Sequence, residues 1–553
     1  MSTDELPAIS PWIPRAGALL PATARAFLRR YGVPLCALAV TAPLYAVWAG
    51  FLATGGGDLA AQLAWARFAA QAPSSAYNLF WYAGMHTANY SLISPYLMAA
   101  AGVRTVSVAA GLASSWLAGL LMVRTGMARP LWPALLAAVC LWCDVVSGRT
   151  TFALGTAFAL AACLVLAGGT ARPGLAALWA GLATMASPVA GLFLAVAGGA
   201  WLLCRDWSRA LPLLLPPSMV VATTTLLFPF QGEQPMPADR IWQPAGLALA
   251  TALLAPRSWR VLRCASVVYA AGVVLVYLVP SPIGTNVERL AELAAPAALL
   301  ACLLNLAPAR RRALLLVPLA LSSLWLAQKT QDDISVSTTV PPWAAHTSGV
   351  IRELGHLRAD RTRVEVVPAR NHREADLLSA HVDTARGWNR QLDVVRGRLF
   401  YRPDPSTAAY RAWLDHWAVG LVVLPHGQPD GPAEREAALV RSHPGWLTRV
   451  WHDPYWSVYR VEDAVPLVSG AAATTVTSDA SHLTVRAGHK GSITVRVVYS
   501  RWLHANGGAC VRATGDWVRL VVPAPGEYRI GSEYRFPWQN ACEQAEATGT
   551  PTR

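Results

Sequence analysis

About eleven long apolar stretches, separated by short breaks, govern what this chain can fold into. They run at roughly 33–54, 106–123, 130–147, 151–168, 174–187, 189–204, 210–229, 241–255, 261–280, 290–306 and 313–327. A helix needs ~20 apolar residues to cross a bilayer, and several of these stretches approach that length. Charged residues make up 14% of the chain, where a soluble domain carries ~25%. The sequence therefore predicts an α-helical polytopic membrane domain over residues 1–329, followed by a part of ordinary polarity.

A net charge of +14 would suit a nucleic-acid binder, but its placement points elsewhere. Arginines gather at Arg25, Arg29 and Arg30, at Arg124 and Arg129, at Arg172, at Arg205 and Arg209, at Arg257 and Arg260, and at Arg310 to Arg312. These are every second junction between spans, the pattern that keeps cytoplasmic loops positive. The reading is a multi-pass cell-membrane protein whose partner is the lipid bilayer, with no nucleic acid. Its N-terminus is cytoplasmic and its C-terminal part extracytoplasmic. The first span is longer than a signal-peptide core and has no clear cleavage site, so it reads as a retained anchor. Lysine occurs only at Lys329 and Lys490. A composition rich in Ala, Leu, Pro and Arg is associated with GC-rich bacterial genomes.

This topology makes residues 55–105 a long first outer loop. Residues 59–68 have the spacing of an amphipathic helix lying on the membrane, with Asp58, Gln62 and Trp65 on one face. Residues 330–465 alternate strand-like and helix-like runs and predict an extracytoplasmic α/β domain. Residues 466–553 carry short strands at 483–486, 492–499 and 518–522, with turns at Asn506-Gly-Gly and Pro523-Ala-Pro-Gly, and predict a β-sandwich-like module. Of nine cysteines only Cys510 and Cys542 fall in that module, and an oxidising compartment favours one disulfide between them. Cys140-Leu-Trp-Cys143 sits in an apolar span without a histidine and reads as membrane core. No internal repeat of fixed period is present.

The residues with chemistry to offer collect in the outer loops. Asp58 follows Gly55-Gly-Gly57 directly after the first span. It reads either as the N-cap of a helix or as a general base. His86 stands alone in an aromatic run, as a packed ring or a substrate contact. Asp144 and Arg149 flank one outer turn, and the plainer role of Asp144 is a helix cap or an ion pair with Arg149. Asn286 and Arg289 lie before the tenth span, where Glu288 offers Arg289 a partner. An arginine at the outer boundary suits a lipid phosphate, which it binds bidentately. No metal-ligand spacing occurs, and the sequence requires no cofactor. Asn371-His-Arg-Glu374 and His452-Asp453 in the tail also lack it, and no nucleophile elbow or phosphate loop is present.

This layout resembles the C-type (GT-C) membrane glycosyltransferases. They combine many spans, a catalytic acid in the first outer loop, an amphipathic helix in that loop and often a soluble outer domain. Residues 385–393 (Ala-Arg-Gly-Trp-Asn-Arg-Gln-Leu-Asp) further resemble membrane proteins of actinobacteria. The resemblance implies an inverting transfer of sugar from a polyprenyl-phosphate donor to a cell-envelope glycan or lipid acceptor on the outer face. Asp58 would be the base. Asp144 would stand where some members carry a second acid, and Arg289, with Arg149, where the donor phosphate is met. The absence of a paired acidic motif leaves a divalent cation open. Trp388, Trp451, Trp456 and Trp502 would be sugar-stacking candidates, with core packing as the plainer role. The competing readings are a membrane transporter or flippase, and a non-enzymatic scaffold binding envelope polymer. Charge confined to span ends argues against the transporter.

Overall fold

The computed structural model describes residues 21–168, 171–306 and 309–535. Its main helices through residue 337 are, in chain order, α1 (Ala22–Val47), α2 (Asp58–Gln71), α3 (Ser94–Ala101), α4 (Val103–Arg124), α5 (Leu131–Val146) and α6 (Thr150–Leu166). They continue as α7 (Pro173–Ala186), α8 (Pro188–Leu203), α9 (Trp207–Leu227), α10 (Trp242–Leu254), α11 (Arg260–Leu278), α12 (Glu288–Asn305) and α13 (Ala309–Ser337). The described chain divides into two units. One takes residues up to 53, 104–227 and 233–335, and the other takes 54–103, 228–232 and 336 onward.

The first unit is helical. Five helices are long and apolar enough to cross a membrane: 26–52, α4, α9, α11 and α13. Shorter apolar helices, α5 to α8, accompany them. Large apolar side chains stand bare on the long helices, among them Met219, Leu226, Leu278 and Val317. Such surface is stable against lipid tails and costly in water. α9 carries Pro212, Pro216 and Pro217 in its interior. Membrane helices tolerate this because neighbouring groups satisfy the freed carbonyls. Small residues let the helices approach closely: a Cβ at Gly119 would meet Pro34 of α1 at 2.7 Å. α1 ends in a π-helical turn, Trp48–Leu52, closed by the Ala53 amide donating to the Trp48 carbonyl at 2.8 Å.

The second unit is mixed. Within the first loop, β1 (Tyr77–Asn78) pairs with β2 (Met85–His86). A four-stranded sheet has the order β3 (Arg363–Val366), β4 (Val419–Pro425), β6 (Trp456–Val461), β5 (Leu447–His452). β3 and β4 are parallel and the other pairs antiparallel. β4 reads Val-Gly-Leu-Val-Val-Leu-Pro and is buried almost throughout, as a central strand covered on both faces requires.

Two further antiparallel sheets follow. Their strands are β7 (Val468–Ser469), β8 (Thr474–Ser478), β9 (His482–Ala487), β10 (Gly491–Val498), β11 (His504–Ala505), β12 (Cys510–Thr514), β13 (Trp517–Val522) and β14 (Gly526–Gly531). The orders are β12-β13-β10-β7 and β11-β14-β9-β8. Alternate residues of both sheets, including Ile493, Val495, Leu520, Leu483, Val485 and Ile530, share one core. Cys510 is disulfide-bonded. Its expected partner Cys542 lies outside the described residues.

The first loop is woven into these sheets. Tyr77 and Leu79 enter the two-sheet core. The Ala76 amide donates to the Ser532 carbonyl and the Leu79 amide to the Ala480 carbonyl, both at 2.7 Å. As a result α2 does not lie on a surface with one face free. It is buried on nearly all sides, with Trp65 and Phe68 packed among Trp81, Tyr82, Met85 and Leu392. Its many alanines permit close approach from several directions, which a periodicity argument does not register.

Candidate functional site

The helical unit holds a buried cluster of opposed charges. Asp144 lies near the end of α5, and Arg149 in the turn before α6. Glu288 and Glu292 sit one turn apart at the start of α12. Lys329 and Asp333 sit one turn apart late in α13. Lys329 Nζ donates to the Glu288 carboxylate at 2.9 Å and also to Glu292. Arg149 is 3.5 Å from Asp144, 3.4 Å from Glu292 and 3.5 Å from Asp333. Ser147 Oγ donates to Asp333, and Arg240 approaches Glu288 at 4.0 Å from a more exposed position. A cavity of about 10 Å³, the smallest space that holds a water, is lined by Asp144, Arg149, Glu292, Lys329 and Asp333 among others.

Arg149 and Lys329 each meet at least two carboxylates, which offsets the cost of keeping charge in apolar helices. Intramembrane charge of this kind marks a functional candidate. The sequence pointed to Asp144, Arg149 and their pairing. It did not reveal Glu292, Lys329 or Asp333. The missed signal was a lysine in a nearly lysine-free chain, and two carboxylates spaced i, i+4 facing a Lys–Asp pair with the same spacing.

Two other predicted residues lie near. Arg289 is half-buried, its guanidinium 5.2 Å over the Phe152 ring, and its charge acts on Asp144 and Glu292. Asn286 Nδ2 donates to Gln234 Oε1 at 3.2 Å and to the Ile283 carbonyl at 2.9 Å, while Gln234 Nε2 donates to Thr285 Oγ1 at 2.8 Å. Asn286 thus ties two loops together.

In the second unit Asp58 is the first residue of α2, and Gly57 is the N-cap. The carboxylate is half-buried, at the helix end where the dipole favours negative charge. The preceding turn needs glycine: Gly55 and Gly57 have φ of +97° and +63°. The Gly57 amide donates to the Asn371 carbonyl at 2.8 Å. Buried Arg373 donates to the Thr54 carbonyl, to Thr54 Oγ1 at 2.7 Å, to the Ser337 carbonyl at 2.7 Å and to the Thr339 carbonyl at 3.3 Å. Burial lowers the Arg373 pKa, and Asp376 opposes the shift.

His372, beside it, has φ +52° and stacks on Trp388 with ring centroids 3.5 Å apart. Its nitrogens lie 3.6 Å from Glu374 and 3.8 Å from Asp430. Arg390 pairs with Asp430 at 2.7 Å and covers Trp388 at 4.9 Å. Burial works against ionising Asp430, yet the His372 and Arg390 charges hold its pKa below the usual value.

His86 is a packed ring. Its Nδ1 is 3.2 Å from the Ala76 carbonyl and its Nε2 3.0 Å from Ser500 Oγ, between the Tyr77 and Phe228 rings. Burial pushes its pKa down to about 4. Of the four tryptophans, Trp456 is fully buried and donates to the Trp343 and His346 carbonyls. Trp502 stacks on Phe228, Trp388 is sandwiched by His372 and Arg390, and Trp451 packs near Gly349.

The 385–393 segment is structural. Arg386 binds Glu365 at 2.9 Å and also Glu436, and Asn389 caps the following helix by accepting from the Leu392 amide at 3.0 Å.

No protein-family model and no curated protein matches the chain. Among solved structures it is similar to the arabinofuranosyltransferase AftD from mycobacteria, determined by single-particle cryo-EM. The match has a TM-score of 0.44 and 12% identity over 90% of this chain. The chain spans 57% of that protein's length.

Chemically, the described residues offer a half-exposed carboxylate on a fixed turn and a balanced acid–base cluster among apolar helices. Among them, no group of three His, Cys, Asp or Glu side chains is arranged to hold a metal ion.

Proposed function

We propose that this chain is an inverting membrane glycosyltransferase. It moves a sugar from a polyprenyl-phosphate donor to a cell-envelope glycan or lipid acceptor on the outer face. The observation that carries the reading is Asp58: a half-exposed carboxylate heading α2, directly after the first span, on a turn held by Arg373 and Asn371. Asp58 takes the proton of the acceptor hydroxyl, and the acceptor oxygen attacks the anomeric carbon with inversion. The lipid phosphate leaves with the bonding electrons, and Arg289, seconded by Arg149, stabilises its charge. Asp144, Glu288 and Glu292 hold the cluster's cations, and Asn286 fixes the turn that leads into α12, which bears Arg289. His86 contributes packing rather than a proton, since burial keeps its ring neutral.

The test is transfer from a labelled polyprenyl-phosphate sugar by protein in nanodiscs. Asp58→Asn removes one oxygen charge and is expected to lower turnover by about 10²–10⁴-fold with folding unchanged. Wild-type turnover in that variant ends the reading.

A second reading is favoured by the Lys329–Glu288–Glu292 pairing inside apolar helices: a proton- or cation-coupled transporter. Ion flux in proteoliposomes that disappears in Lys329→Met, with no sugar transfer by the wild type, would select it.

A further inference from the structure

We infer that Arg373, more than 300 residues downstream of the turn it holds, is a positioning residue for Asp58. The inference rests on the glycosyltransferase reading above, because it concerns the base that reading names.

A buried guanidinium ordinarily meets a carboxylate, since an isolated buried charge is costly. The Arg373 guanidinium donates instead to the backbone and hydroxyl of the chain around the Asp58 turn. It binds both the carbonyl and the hydroxyl of Thr54, and the carbonyls of Ser337 and Thr339. Thr54 Oγ1 in turn donates to the Ser337 and Thr338 carbonyls, at 3.0 Å and 2.7 Å. Two strands of chain, one entering Asp58 and one following α13, are therefore stitched through one side chain.

The fit is close on the glycine side as well. A Cβ on Gly56 would lie 3.0 Å from Arg373 Nη2, 3.1 Å from its Nε and 2.5 Å from the Ser337 carbonyl oxygen. A Cβ on Gly55 would lie 3.4 Å from Nη1. The triple glycine thus gives the guanidinium room as well as permitting the backbone's left-handed angles. The Asn371 carbonyl, two residues before Arg373, accepts from the Gly57 amide and fixes the residue just ahead of Asp58. Thr54, Gly57, Asn371 and Arg373 form a clamp whose end product is the direction in which the Asp58 carboxylate leaves α2.

Two variants probe the clamp from opposite sides: Arg373→Lys, which keeps the charge and loses the planar fork, and Gly56→Ala, which keeps the arginine and displaces it. A displacement of ~1 Å at a reacting group costs about 10²-fold, so both variants should lose about that much kcat with KM within threefold. Hydrogen exchange supplies a readout independent of activity. Amides 55–59 should exchange about tenfold faster while those of β4 stay protected. Turnover within twofold of wild type in both variants, with Asp58→Asn inactive, overturns the positioning role and leaves the reaction standing. Faster exchange spread equally over β4 also overturns it, because Arg373 would then serve the fold alone. Wild-type turnover in Asp58→Asn overturns the base assignment, and the positioning role falls with it.

Discussion

Lys329 on α13 and Glu288 on α12 stand 2.9 Å apart, and the same ammonium also binds Glu292 one turn further along. Removing one partner from a buried ion pair leaves the other charged in a poor solvent. Lys329→Met is therefore expected to destabilise the helical unit by about 3–5 kcal/mol. Thermal or denaturant unfolding in detergent measures it. Adding Glu292→Gln to Lys329→Met should recover part of the loss, and a purely additive loss would show that the two groups do not share one network.

Arg289 is proposed to meet the leaving phosphate. Arg289→Lys keeps the charge and loses the bidentate fork, so turnover should fall by about tenfold or more, with Arg289→Met lower still. Steady-state kinetics against donor concentration reads both. Equal rates in wild type and Arg289→Met would remove Arg289 from the site.

His86 makes the second unit sensitive to acid. Its native pKa of about 4 lies below the ordinary 6.5, so the fold prefers the neutral ring. That contribution is fully present above the unfolded pKa of ~6.5 and is lost as pH falls toward 4. The 2.5-unit gap corresponds to about 3 kcal/mol, as an order of magnitude. In His86→Gln the stability difference between pH 7 and pH 4.5 should shrink by a measurable part of this. An unchanged pH dependence would assign the acid sensitivity to carboxylates instead.

Arg363 is fully buried, 3.1 Å from both oxygens of Asp383, and donates to the carbonyls of Trp417 at 2.6 Å and Arg496 at 2.8 Å. It joins the α/β sheet to the two-sheet module. Arg363→Met strands Asp383 and is expected to cost about 3–5 kcal/mol. Asp383→Asn, which retains an acceptor, should cost less. Equal losses in both would mean that the carbonyl bonds, and not the ion pair, carry the effect.

The apolar helices were legible because lipid imposes length and apolarity on a helix: each predicted stretch coincides with one of α1 and α4 to α13, five of them long and apolar enough to cross a membrane. β4 and β13 were legible for a similar reason, since buried and half-buried strands write their environment into consecutive or alternating residues. The turn before Asp58 was legible from its glycines. Arg373 was not, because its partners are carbonyls at Thr54, Ser337 and Thr339 that leave no trace in side-chain identity. Lys329 and Glu292 were obscured for a different reason. Each looks like an ordinary charge near a span end until three helices bring them together. The surface-helix reading of residues 59–68 failed because Trp65 and Phe68 find partners at Trp81 and Leu392, far apart in the chain.

The weaving of the first loop into the two-sheet module bears on how the protein is made. Ser75 reaches Ser532 across 457 positions at 2.9 Å, and the Tyr77 hydroxyl reaches the Val498 carbonyl across 421. At ~5–20 residues per second, a ribosome needs on the order of half a minute to a minute and a half to supply those partners. Throughout that interval Tyr77 and Leu79 lack the two-sheet core that buries them. The second unit thus completes its fold only once β14 has been made, and until then its first loop presents aromatic surface that a holding factor would mask.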